Sequence, residues 1–393
     1  MTEDKRKQKE EAYRVKTFTV PFAIEEIKDN LIIKTDNKPL KSSQKDIVNQ
    51  AIKFHLQGNL TEAIKYYLHC INNSFNDPRV FTNYGAILKG LGKLKEAEFS
   101  TRKAIEIKPD FAYAHYNLGV ILEDIGNLKE AERSHRKAIE IKSNYPEAHL
   151  NLGNIFRKLG DLKKAESLHR KAIQIKPNYA EAHSNLGEIL KDLGKLNEAE
   201  LSTRKAIELK PDFADAHNNL GWILKNLGKL REAELSTRKA IELKPDYAIL
   251  HSNLGSILKD LGKRREAEIS TRKAIELKPD LANAHYNLGG ILKDLGKLQE
   301  AELSTRKAIQ LKPDFGEAHY NLGIILKDLR KLKDAITNFE KAIKLKADYN
   351  LCITGIGNVL LEQGQYSKGL TMLKAGEGTI QFDLRNGFSI GKK

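Results

Sequence analysis

A five-residue phrase returns along this chain at a constant interval of 34 residues. It reads HYNLG at 115–119, HLNLG at 149–153, HSNLG at 183–187, HNNLG at 217–221, HSNLG at 251–255, and HYNLG again at 285–289 and 319–323. Looser copies stand at 81–85 and 353–357. So strict a period describes a stack of small units, each burying its apolar side on its neighbours, rather than one globular core. The question of function thereby moves from catalysis toward binding.

Of the 393 residues, 30% are charged and 40% hydrophobic, and no apolar run approaches the roughly 18 residues of a membrane-spanning helix. The start, MTEDKRKQKEEAYRVK, lacks the apolar segment of a secretory signal. Cys70 and Cys352 stand alone, which suits neither a disulfide framework nor a zinc site, and a reducing cytoplasmic setting is expected. The net charge of +15 hints at nucleic acid. Yet residues 211–244 carry six Lys/Arg against five Asp/Glu, so the excess is a thin coat. Without a concentrated basic stripe or stacking aromatics, the charge argues against nucleic acid as a partner.

Residues 214–247 show the unit. Ala214–Asn226 has helix-forming composition, with Leu220 and Leu224 four apart. Gly228 suits a helix C-terminus because it tolerates left-handed φ. Leu230–Leu243 forms a second helix, which Lys244-Pro245-Asp246 ends. The unit is therefore two antiparallel helices joined by short turns. We number it so that the glycine of the phrase is place eight. Places three, four, seven, eight, ten and eleven then share one side of the first helix. In this unit they are Ala216, His217, Leu220, Gly221, Ile223 and Leu224. That side packs on the second helix and the next unit, with Gly221 and Ala240 small where two backbones approach.

The pattern resembles the tetratricopeptide repeat: Leu-Gly in the first helix, Ala at places twenty and twenty-seven, and Pro near the end, at a period of 34. Pro stands at 109, 177, 211, 245, 279 and 313, with Ser143 and Ala347 as departures. His takes place four where the family usually has Trp, and Thr203 and Thr237 stand where an aromatic is usual. These exchanges alter volume, not topology. The resemblance covers 44–377, with repeats beginning at 44, 78, 112, 146, 180, 214, 248, 282, 316 and 350. It implies an all-α, right-handed superhelical solenoid of about ten antiparallel helix pairs. Residues 1–43 form a charged, largely irregular segment, closed by Ser43 and Asp46 at capping-box spacing. The end repeats depart from the rest, with Ala51 in place of the glycine and with Gly369 and Gly376 in place of alanines. Residues 378–393 form a tail in which alternation about Asn386-Gly387 reads as a short β-hairpin.

The remaining places of the first helix are two, five, six, nine, twelve and thirteen, and the resemblance makes this side the lining of a concave groove. Place six is Asn in eight consecutive repeats: Asn83, Asn117, Asn151, Asn185, Asn219, Asn253, Asn287 and Asn321. A carboxamide both donates and accepts, so a spaced row suits an extended polypeptide whatever its side chains. The row resembles the asparagine ladder in the tetratricopeptide region of O-linked N-acetylglucosamine transferases. The alternative is that each Asn bonds a neighbouring repeat and sets curvature. Place twelve adds Lys191, Lys225, Lys259, Lys293 and Lys327, with Lys89, Arg157 and the exception Glu123. Place thirteen adds Asp124, Asp192, Asp260, Asp294 and Asp328. Such rows fit a polar, partly acidic peptide, or are simply a solvated helix end. Place nine varies most, which gives pockets of differing specificity or reflects drift. Trp222, the only tryptophan, is its anchor candidate, and Tyr116, Tyr286 and Tyr320 at place five assist it.

Seven histidines stand in register, but each lies on a different helix pair and on the packing side, too far from the next to share an ion. No metal and no cofactor is expected. Arg102, Arg136, Arg204 and Arg238 each follow a Glu by four residues, which is helix support. No glycine-rich phosphate loop follows a strand and no nucleophile–base constellation stands out, so no enzyme is expected. The reading is a protein-interaction adaptor that binds an extended polypeptide ligand in its groove. Two others stay open: a substrate-recognition or regulatory subunit for a separate catalytic subunit, such as a protein glycosyltransferase, and a self-associating scaffold.

Overall fold

Glycine in the left-handed region ends the first helix of nearly every repeat. Gly58, Gly92, Gly126, Gly160, Gly194, Gly228, Gly262, Gly296 and Gly364 all have φ between +74° and +89°, a conformation that costs a side-chain-bearing residue about 1 kcal/mol or more. Arg330 takes the equivalent position at φ +63°. The computed structural model describes residues 43–383 and 387–392, and its chain divides into two compact units, one through Ile189 and one from Leu190.

In the first unit α1 (Gln44–Leu56) packs on α2 (Leu60–Asn72), α3 (Pro78–Gly90) on α4 (Leu94–Ile107), α5 (Ala112–Ile125) on α6 (Leu128–Ile141), and α7 (Pro146–Lys158) on α8 (Leu162–Ile175). Helix α9 spans Ala180–Asp192. In the second unit α10 (Leu196–Leu209) precedes four pairs: α11 (Ala214–Asn226) with α12 (Leu230–Leu243), α13 (Ala248–Asp260) with α14 (Arg264–Leu277), α15 (Ala282–Asp294) with α16 (Leu298–Leu311), and α17 (Gly316–Asp328) with α18 (Leu332–Lys344). The last pair is α19 (Tyr349–Glu362) with α20 (Tyr366–Glu377). Successive helix pairs pack as in a tetratricopeptide solenoid. Ser43 opens α1 with a capping box, its side chain and backbone exchanging hydrogen bonds with Asp46.

The core is a chain of small clusters, one per junction. Leu220, Leu224 and Ala233 enclose Ile257 of the following repeat, with Ile207 of the preceding one against them. The same arrangement recurs at Leu254, Leu258, Ala267 and Ile291, and at Leu118, Leu122, Ala131 and Ile155. Place ten therefore crosses from one repeat into its predecessor. The structure corrects the expected partner of the place-eight glycine. A Cβ on Gly221 would overlap Thr237 Oγ1 and lie 3.3 Å from the Ala233 carbonyl oxygen, so the close approach is to places twenty and twenty-four. Alanine at place twenty-seven has another role: Ala138 packs with Tyr145 and Ala148, and Ala308 with Phe315 and Ala318. It seats the buried place-34 aromatic that joins one repeat to the next.

After α20, β1 (Gly378–Asp383) and β2 (Gly387–Lys392) pair antiparallel, with Ile380 opposite Ile390 and Phe382 opposite Phe388. The tight turn expected at Asn386-Gly387 falls on residues 384–386, which lie outside the described residues, as does the charged segment before Ser43.

Candidate binding face

Within each unit, first helices touch the first helices two elements away: α3 meets α5, α11 meets α13, α13 meets α15, and α15 meets α17. Their places two, five, six, nine and twelve are thereby set side by side. The asparagine row lies at this seam. Asn151 and Asn185 are buried and the other six are half-buried. Four of the carboxamides donate one N–H to the preceding repeat. Asn151 Nδ2 reaches Tyr116 Oη at 3.3 Å, Asn185 Nδ2 reaches Asn154 Oδ1 at 3.1 Å, Asn253 Nδ2 reaches Asn218 Oδ1 at 2.8 Å, and Asn287 Nδ2 reaches Ser252 Oγ at 3.1 Å. Asn83 lies against the Tyr67 hydroxyl. Both of the sequence's alternatives thus have a physical basis. The row does tie repeats together, through Nδ2. Among the described residues no group is bonded to Oδ1 of Asn253 or Asn287, and Asn117, Asn219 and Asn321 make no side-chain hydrogen bond.

The lysine and aspartate rows interlock. Lys89 pairs with Asp124 at 3.0 Å, Lys225 with Asp260 at 3.3 Å and Lys259 with Asp294 at 3.6 Å, each across one repeat. Lys191, Lys293 and Lys327 instead reach the adjacent Asp192, Asp294 and Asp328 at 3.3–3.7 Å. Arg157 pairs with Glu188 at 2.5 Å. These rows neutralise one another locally, so they present polarity rather than net charge. The exception at place twelve, Glu123, accepts from the fully buried His135 at 3.0 Å and pairs with Lys158 at 3.5 Å.

The second unit holds a concavity on this face, of about 220 Å³. It brings together five of the residues singled out from sequence: Trp222, Lys225, Asn253, Tyr286 and Asn287. Sequence reasoning missed Ser252, Ser256, Asn283 and Phe315, which also line it. The signal was present, since Ser252 and Ser256 occupy places five and nine, where adjacent repeats carry Tyr286 and Trp222. Small side chains between large ones leave a gap. The Trp222 ring is 42% exposed and the Lys191 ammonium sits 4.9 Å from its centroid, within cation–π range. Tyr286 packs in a tilted arrangement on Phe315, with ring centroids 4.9 Å apart, and burial pushes its phenol pKa up. Tyr116 and Tyr320 are committed elsewhere. Tyr116 packs 5.0 Å from Tyr145, and burial raises its phenol to about 12. Tyr320 packs 5.7 Å from Phe339.

The place-four histidines are loop clamps more than core. His115, His183, His217, His251 and His285 are half-buried, and each Nε2 lies 2.7–3.0 Å from the carbonyl of the proline six residues earlier. His149 does the same with Ser143 at 3.1 Å. Each histidine thus fixes the loop that enters its own helix. No group of three His, Cys, Asp or Glu suited to a metal ion exists among the described residues. The arginines prove to do more than support their own helix. Arg238 Nη2 bonds Glu234 at 2.8 Å and also Glu266 of the next repeat at 3.0 Å, while Lys263 reaches back to Glu234 at 2.8 Å. Burial raises the Glu234 carboxyl, but bonds from Lys263 and Arg238 outweigh it and hold the pKa below the usual range. No helix among the described residues is long and apolar enough to cross a membrane.

Tetratricopeptide repeat models match residues 78–111, 101–133, 214–247, 248–281, 282–315 and 316–349. A further TPR repeat model matches 123–160, 153–194 and 187–228. Together the matches run without a break from 78 to 349. A curated relative, the Protein CTR9 homolog of Arabidopsis thaliana, is 29% identical over 93 residues, which is 23% of this chain and 8% of that protein. This chain therefore spans a small fraction of that relative's length. Among solved structures, a tetratricopeptide repeat protein from Parabacteroides merdae is 21% identical with a TM-score of 0.51, covering 63% of this chain and 98% of its own. YrrB, described as a TPR protein with an unusual peptide-binding site, is 27% identical with a TM-score of 0.40, covering 47% of this chain and 95% of its own.

Proposed function

This chain belongs to the tetratricopeptide repeat family, a family of protein-interaction modules, and we propose that it is an adaptor that holds an extended polypeptide against the asparagine face without chemistry of its own. One observation carries the reading: four carboxamides of the row turn one N–H to the preceding repeat, and of these Asn253 and Asn287 keep Oδ1 uncommitted beside a concave pocket. An acceptor held in place by its own donor is preorganised for a peptide N–H, which lowers the ordering cost of binding. Each such bond contributes on the order of 0.5–1.5 kcal/mol, so affinity accumulates over several repeats.

Asn219 and Asn321 give the cleanest test, because neither side chain bonds the protein. Alanine there also improves helix propensity slightly. The double variant Asn219→Ala/Asn321→Ala is expected to melt at or above the wild-type temperature. It should nevertheless bind a peptide selected on the full chain about 5- to 150-fold more weakly, two lost bonds at the range above. Unaltered affinity by calorimetry would retire the reading.

A second reading, self-association, has its own observation. Leu201, Leu235, Ile269 and Leu303 recur at place twenty-two of the second helices and are each about 70% exposed. Light scattering over a range of concentrations decides it, a constant monomer mass counting against it.

A further inference from the structure

We infer that the concavity on the second unit takes one neutral aromatic side chain of the bound polypeptide, a specificity pocket that rests on the groove reading and refines it. At about 220 Å³ the space is smaller than the roughly 300–1,000 Å³ that enclose a whole small molecule, and it suits a single side chain. It exists because Ser252 and Ser256 are small where Tyr286 and Trp222, at the same places of the flanking repeats, are large. The pocket is thus lined by the rings of Trp222, Tyr286 and Phe315 together with the two serines, so an entering ring has aromatic partners for offset or edge geometry.

Charge narrows the occupant. Lys225 Nζ is held by Ser256 Oγ at 2.6 Å and by Asp260 at 3.3 Å, and Lys191 stands over Trp222 at 4.9 Å. A cationic side chain would face the Lys225 ammonium that lines the pocket. A carboxylate would share Lys225 with Asp260, which already pairs with it at 3.3 Å, at the cost of repulsion between the two anions. A neutral ring does neither, and the wall of Trp222 that Lys191 leaves exposed is apolar. The carboxamides of Asn253 and Asn287 at the same pocket then hold the peptide backbone that delivers the ring.

The chain supplies its own reporter, since Trp222 is its only tryptophan. Random dodecapeptides displayed on phage are panned against the full chain and, in parallel, against Ser252→Tyr. That variant fills the pocket with the side chain that place five already carries at Tyr286 and Tyr320, so the fold accommodates it. The expected result is a set of selected peptides sharing one aligned aromatic residue. A synthetic copy shifts Trp222 emission on binding. Replacing the aromatic by alanine weakens binding to the wild type at least tenfold and to Ser252→Tyr less than twofold. Selected peptides with no shared aromatic, or with equal losses on both proteins, overturn the pocket and leave the groove reading standing. If no peptide is enriched on the wild-type chain, the groove reading falls, and this inference falls with it.

Discussion

Gly255→Ala is the most informative single change to the scaffold, because its two opposing terms can be read from the coordinates. Alanine is favoured over glycine in a helix interior by about 1 kcal/mol, and on propensity alone the variant gains stability. Against this, the new Cβ overlaps Thr271 Oγ1 and comes to 3.2 Å from the Ala267 carbonyl oxygen. Thr271 is fully buried and its hydroxyl donates to that carbonyl at 2.8 Å. Turning Thr271 aside strands a buried hydroxyl at about 1–3 kcal/mol, and prising the two helices apart costs about 1–3 kcal/mol. The net expectation is a loss of about 1–5 kcal/mol once the propensity gain is subtracted. The partner variant separates the causes. Gly255→Ala/Thr271→Ala removes the overlapping hydroxyl and leaves the 3.2 Å contact with the Ala267 carbonyl and the 3.3 Å contact with the residue-271 Cβ, so it should return to within about 1 kcal/mol of wild type, a coupling of at least about 1 kcal/mol. Urea unfolding followed by circular dichroism gives the midpoints. Repeat arrays open locally, so hydrogen exchange on Ala248–Asp260 and Arg264–Leu277 localises the loss. A single variant as stable as wild type, or a double variant no better than the single, refutes the close-approach account.

Three further outcomes follow from the same geometry. Glu234→Gln removes bonds to Arg238 and Lys263 from a largely buried carboxylate and should cost about 1 kcal/mol at neutral pH. Because the folded pKa of Glu234 is depressed, its stabilisation is present above its unfolded value of 4.5 and is lost as pH falls through the folded value, so unfolding midpoints of the variant and wild type converge in acid. His169→Thr should stabilise by about 1 kcal/mol, since the fully buried imidazole has neither ring nitrogen bonded. Burial, with Arg157 nearby, lowers its pKa to about 3, so the wild type loses stability as pH falls from 6.5 toward 3 and the variant's midpoint falls less steeply. Arg330→Gly relieves a left-handed residue at φ +63° and gives up an exposed ion pair with Glu362 at 2.8 Å that is worth little. Thermal unfolding should show a net gain of about 0.5–1 kcal/mol.

Helix bounds were legible because local chemistry writes them. Ala214–Asn226 and Leu230–Leu243 follow from Gly228, Pro245 and the spacing of leucines alone, and the structure has them at those residues. Contacts between repeats were less so. Arg238 reads from sequence as a partner of Glu234, four residues away, yet it also holds Glu266 at a separation of 28 residues. The carboxamide of Asn253 reaches Asn218, 35 residues earlier. Such pairs are set by how far one helix is translated past the next, and a repeat read by itself contains no such quantity. The pocket was half-legible. Trp222 announced itself as a large side chain on a variable place, whereas Ser252 and Ser256 matter for the volume they leave empty. An absence acquires meaning only when its neighbours in space are known.

On the proposed reading, a double use of place six accounts for asparagine, a mediocre helix former, standing there in eight repeats. Glutamine would reach farther but hold its amide on one more rotatable bond, and serine offers no second donor. Asparagine is short enough that bonding Nδ2 to the preceding first helix, as Asn253 does to Asn218, fixes the direction of its own oxygen. The stacking of repeats and the orientation of the ligand acceptors are then one constraint. At Asn219 and Asn321, which make no side-chain hydrogen bond among the described residues, the amide keeps its donors as well and would offer a looser, two-sided contact. On the groove reading proposed above, the face thus mixes fixed acceptors with adaptable amides, which would grip a peptide backbone while leaving selection of its side chains to places five and nine.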